Sequence, residues 1–172
     1  IAPKFRKLKE FRYPNVKVIR IRSIPALFYP DFKFTSPFSP LLLRYLYKEK
    51  IDLIHFQTPL TLGVQGIIIS KILGVPLVGT FHTLISHPEY LKHMGVNFKL
   101  MQKTSWQYAK AYYNRCDLIT CPTEGIRKQL ISKGFIPPIV TVSNGINPKT
   151  FNNSHWKEVR KKQIGRAHGL NS

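Results

Sequence analysis

From Ile51 to Val142 the apolar residues keep changing period. Short runs rich in branched side chains, as buried strands have, alternate with stretches whose apolar residues recur every three or four positions, as in helices. That rhythm predicts a parallel sheet with helical crossovers. Val16–Ile21 reads as a strand, Pro25 to Ser36 as irregular, Pro37–Lys50 as a helix and Ile51–Phe56 as a strand. Thr61–Leu73 reads as a second helix, with Gly74 at its end and Pro76 just beyond. Leu77–Phe81, Leu118–Cys121 and Ile139–Val142 read as further strands. Between them fall a long helix near Asn97–Asn114 and a helix Glu124–Lys133, which Thr123 caps and Gly134 ends. Strands this short and apolar suit a sheet covered on both faces. The expected class is α/β, a Rossmann-like doubly wound parallel sheet. Its domain is expected over 1–146, with 147–172 as linker and tail.

The 172 residues suffice for one domain with a real core, and 43% hydrophobic residues argue against wholesale disorder. No apolar run is long enough to span a bilayer, since Gln65 and Lys71 interrupt the longest. Cys116 and Cys121 match no metal spacing and read as buried free thiols. Charge is the unusual quantity: 27 Lys and Arg against 8 Asp and Glu, a net +19. Such a field attracts phosphates, whether on a nucleotide, an anionic lipid or a nucleic acid. Charge alone would fit a basic nucleic-acid-binding module, but the basic residues are dispersed and no nucleic-acid motif accompanies them.

In an open parallel sheet, ligands gather outside the carboxyl ends of the strands. Four loops qualify: His55–Pro59, Phe81–Ser86, Cys121–Glu124 and Ser143–Asn147. His82 follows an apolar strand and should emerge at the rim, where a ring nitrogen can meet a phosphate or sugar oxygen. The same position is open to a histidine satisfied by backbone. His55 has a similar place, with Asp52 on the wrong side to orient it. Asn144–Gly145 is also a common turn pair. Walker A, G-x-G-x-x-G and G-x-S-x-G patterns are absent, and eight acids so dispersed do not make a catalytic carboxylate pair.

Four stretches, in order, resemble the family-4 glycosyltransferases, retaining enzymes of the two-Rossmann GT-B fold. They are Ile51-Asp52-Leu53-Ile54-His55-Phe56-Gln57-Thr58-Pro59 with Leu62-Gly63, then Gly74-Val75-Pro76-Leu77-Val78-Gly79-Thr80-Phe81-His82-Thr83, then Pro122-Thr123-Glu124, then Val142-Ser143-Asn144-Gly145-Ile146. The subgroup most similar is that of the diacylglycerol glucosyltransferases. The resemblance implies transfer of a sugar from a nucleotide-sugar to a sugar or lipid acceptor, with no metal and no other cofactor. It implies His82 as the catalytic histidine facing the transferred sugar and donor phosphate. Thr83, Asn144 and Gly145 would line the donor side, and His55, Gln57 and Pro59 the acceptor side. Against the family pattern, a first strand–loop–helix unit is expected before Ile1 and a donor-binding C-terminal domain after the linker. The chain alone is therefore expected to be inactive, with an incomplete sheet that favours self-association.

The long helix also carries an expectation of membrane contact. Phe98, Met101, Ser105, Ala109, Tyr112 and Cys116 form one stripe that should pack on the sheet. Lys99, Lys103, Trp106 and Lys110 form a second stripe, with an exposed indole among amines that suits an anionic headgroup region. The expected location is cytoplasmic, peripheral on the inner face of the membrane.

Overall fold

A computed structural model describes residues 1–4, 14–25, 33–57, 60–82 and 98–145, with side chains from residue 103 onward in the last stretch. The chain divides into two compact units, Ile1–Val142 and Ser143–Ser172. In the first, strands β5 (Ile54–Phe56), β6 (Leu77–Thr80), β7 (Leu118–Cys121) and β8 (Ile139–Thr141) form a parallel sheet in that order. Helices α2 (Thr61–Leu73), α3 (Phe98–Tyr113) and α4 (Glu124–Ser132) fall between successive strands, and α1 (Pro40–Lys48) precedes them. This is the α/β, Rossmann-like arrangement that the alternating periods predict.

Local chemistry accounts for the helix ends. The Ser39 hydroxyl accepts from the Leu42 N–H at 3.3 Å and Pro40 opens α1, while the Thr123 hydroxyl accepts from the Ile126 N–H at 3.3 Å. Gly74 closes α2 at φ 67°, a left-handed conformation that a side chain would strain.

Two expectations are corrected. Of Val16–Ile21 only Arg20–Ile21 (β2) is strand, because its partner β1 (Ala2–Pro3) offers two paired residues; Val16 and Val18 are left exposed. The stretch expected to be irregular contains a ladder instead. β3 (Ser23–Pro25) pairs antiparallel with β4 (Lys33–Thr35). Pro25 sits at the end of a two-stranded ribbon, where its missing N–H costs no interior hydrogen bond. The β1–β2 pair is not joined to β5. An apolar cavity of about 420 Å³ is lined by Ala2 and Pro3 on one side, Ile54 and Phe56 on the other, and Leu42, Leu46 and Ile69 from the helices.

Alternation along the strands sorts their side chains onto two faces. Ile54, Phe56, Leu77, Gly79, Ile119 and Cys121 share one face, joining a core with Tyr112, Tyr113 and Cys116 around α3 and with Leu130 of α4. His55, Val78, Thr80, Leu118 and Thr120 share the other. Tyr113 donates to the Thr80 carbonyl at 2.9 Å, tying α3 to the sheet. Both cysteines are free and buried as expected; burial pushes the Cys116 thiol up to about 12 and raises Cys121, so neither is a thiolate at neutral pH.

Gly79 is the tightest point of this packing. A Cβ there would lie 2.7 Å from Phe56 Cζ and 3.0 Å from both Cys116 Sγ and Tyr113 Cδ1. Gly79→Ala is expected to cost about 1–3 kcal/mol by overpacking, read as a lower urea midpoint at unchanged slope. An unchanged midpoint would mean that the rings move aside freely.

The buried stripe of α3 is wider than the expected one. Ala109, Tyr112 and Cys116 are buried as predicted, but Trp106, expected to be exposed among lysines, is also buried, at 8% exposure. Its indole stacks on Phe81 at 6.1 Å and meets the edge of Phe135 at 6.1 Å. The apolar residues that follow β6 and α4 thus claim a ring that helical periodicity alone had assigned to the surface. Trp106 therefore leaves the candidate membrane-surface stripe. Of the rest, Lys103 is exposed, Lys110 is half-buried, and the Lys99 side chain is outside the described residues.

Candidate functional site

The carboxyl ends of β5 and β6 bring together the two sequence-predicted histidines. Period two along each strand sends His55 and Gln57, and Thr80 and His82, to the same face. The register His55↔Val78 and Phe56↔Gly79 sets the two pairs side by side. His82 Nε2 lies 2.5 Å from Gln57 Oε1, and Gln57 Nε2 lies 3.0 Å from His55 Nε2. His55 Nε2 also lies 2.5 Å from the Thr80 hydroxyl, which is 2.7 Å from that of Thr120 on β7. One hydrogen-bonded row therefore crosses three strands and ends at His82, which is exposed.

The electrostatics follow from this placement. Partial burial, and then the neighbouring His82, push His55 below the ordinary histidine value of 6.5. A neutral ring here can accept at one nitrogen and donate at the other. His82 meets solvent and keeps one ring nitrogen, Nδ1, outside the row.

His55, Gln57 and His82 are thus brought into one cluster, and Asp52 takes no part in it. Thr83 and Pro59 lie outside the described residues. Asn144 and Gly145 belong to the second unit; both are exposed and outside regular structure. Thr80 and Thr120 were not singled out from the sequence. Their signal was present in the spacing, since Thr80 stands two residues before His82 on a strand whose other face is apolar. Among the described residues no group of His, Cys, Asp and Glu is arranged to hold a metal ion, and no helix is long and apolar enough to cross a membrane.

Comparison with known proteins places this geometry in context. The chain is 26% identical over 157 residues to the alpha-monoglucosyldiacylglycerol synthase of Streptococcus pneumoniae (strain ATCC BAA-255 / R6), covering 88% of this chain and 35% of that protein. It is 27% identical over 140 residues to the sulfoquinovosyl transferase SQD2 of Arabidopsis thaliana, covering 80% and 27%. It is 23% identical over 147 residues to the GDP-mannose-dependent alpha-mannosyltransferase of Mycobacterium tuberculosis (strain CDC 1551 / Oshkosh), covering 84% and 38%. The chain therefore spans between 27% and 38% of the length of these relatives. The family model of Glycosyltransferase Family 4 matches residues 1–150, a span that holds every described residue and all of the first unit, so the chain belongs to Glycosyltransferase Family 4.

Proposed function

We propose that this sequence forms the acceptor-side domain of a retaining glycosyltransferase that moves a sugar from a nucleotide-sugar to a membrane-lipid acceptor. The observation that carries the reading is the His55–Gln57–His82 cluster at the carboxyl ends of β5 and β6, in a chain of that family. Two features support it further. Departure of a nucleotide develops negative charge on a phosphate, which a positioned ring N–H and a net charge of +19 both favour. The similar proteins include one named a monoglucosyldiacylglycerol synthase, whose product is a glycolipid. In this reading His82 is the catalytic residue, with Thr83, Asn144 and Gly145 beside the donor. His55, Gln57 and Pro59 face the acceptor. The remaining donor-binding groups come from sequence outside this domain, so the domain by itself positions an acceptor and transfers nothing.

The test is transfer of labelled glucose or mannose from UDP-glucose or GDP-mannose to vesicles containing diacylglycerol or monoglucosyldiacylglycerol. The expected result is background with the 172-residue chain and labelled glycolipid with the longest polypeptide that carries it. Absence of any labelled lipid from that polypeptide would contradict the lipid acceptor. Turnover by the short chain above a heat-killed control would contradict the division of labour.

The same reading places the protein on the inner face of an anionic membrane. With Trp106 in the core, contact there rests on Lys99, Lys103 and Lys110 and the general basic field. A basic residue near an anionic surface adds about 1 kcal/mol of attraction. Replacing the three lysines by Glu should sharply reduce flotation with vesicles rich in phosphatidylglycerol. Equal flotation of both proteins would put the contact on another face.

A further inference from the structure

The side chain of Gln57 is exposed and touches both imidazoles. A carboxamide has two hydrogens to donate at one end and lone pairs at the other. The oxygen end can therefore only accept from the ring that faces it. Facing Oε1, Nε2 of His82 carries a hydrogen and donates it; the amide nitrogen lies against the His55 ring, 3.0 Å from Nε2 and 3.5 Å from Nδ1. The Thr80 hydroxyl, 2.5 Å from Nε2 of His55 and 2.7 Å from the Thr120 hydroxyl, anchors that ring on the sheet.

We propose that Gln57 is a positioning residue: its carboxamide oxygen holds the hydrogen of His82 on Nε2 and leaves Nδ1 of His82 available to a ligand. A bare Nδ1 on that ring can accept from a sugar hydroxyl. The use of that nitrogen in transfer rests on the functional reading above; the tautomer does not.

The experiment is long-range proton–nitrogen correlation of the imidazole rings in the nitrogen-15-labelled chain at mildly alkaline pH, without substrate. Signals are assigned with His55→Asn and His82→Asn. In the unaltered protein, the neutral His82 ring is expected to carry its hydrogen on Nε2. Gln57→Leu removes the acceptor, and the His82 ring should relax toward the tautomer mixture of free histidine. Gln57→Glu keeps an acceptor at that place, so the hydrogen should stay on Nε2, which a purely space-filling role for Gln57 would not produce. A His82 hydrogen on Nδ1 in the unaltered protein, or a His82 ring spectrum unmoved by Gln57→Leu, would overturn the proposal. Because no donor or acceptor is present, that failure would leave the role of His82 in transfer to be judged on transfer alone.

Discussion

His82→Ala, introduced into the longest polypeptide that carries this sequence, is expected to lower kcat for glycosyl transfer by roughly 10²–10³. That is the usual loss when one preorganised donor to a developing charge is removed. The melting temperature should hardly change, because the ring is exposed and its recorded hydrogen bond is to the exposed Gln57 side chain. Loss of activity together with a large drop in melting temperature would make His82 a structural residue. Retention of most of the activity would remove it from the site. Gln57→Leu should give a smaller loss on kcat, since the ring nitrogens remain present but are no longer held.

Trp106→Ala is expected to destabilise the chain by about 3–5 kcal/mol, the range for deleting a large buried aromatic. The loss is concentrated at one place. The indole stacks on Phe81, meets Phe135 edge-on, and carries the Lys133 ammonium 5.6 Å from its ring centre. Phe81 is the residue before His82, and its N–H donates to the Thr120 carbonyl at 2.7 Å. Loosening Phe81 should therefore also blur the position of His82. Chemical denaturation measures the stability, and the ring signals of His82 at temperatures below the transition measure the coupling. A cost below about 1 kcal/mol, the scale of surface changes, would return Trp106 to the surface and reopen its place in a membrane-contact stripe.

The same tryptophan shows where sequence reasoning stopped. Thr61–Leu73 and Leu118–Cys121 were legible to the residue, because glycine ends the one and branched residues fill the other. The α3 stripe was legible only in part. Period 3.6 selects a face but does not say how wide a face the neighbours cover, and Phe81 and Phe135 arrive from distant parts of the chain to widen it. The β3–β4 ladder was missed because two prolines obscure local strand preference and pairing is a long-range fact. At the site, His55 and His82 were found as rim residues. Their bridge was not, because it depends on the register of β5 against β6 and on side-chain reach. The His55-x-Gln57 and Thr80-x-His82 spacings were the available hint.

The central claim is that the carboxyl ends of β5 and β6 form part of a glycosyl-transfer cleft. A crystal structure of the longest polypeptide that carries this sequence, with an intact nucleotide-sugar bound, tests it most directly. The account predicts Nδ1 of His82 within hydrogen-bond distance of the transferred sugar or its attached phosphate, with Gln57 still bridging Nε2 to His55. A nucleotide-sugar bound with its sugar and phosphates out of reach of His82, in a polypeptide that transfers sugar, would contradict it.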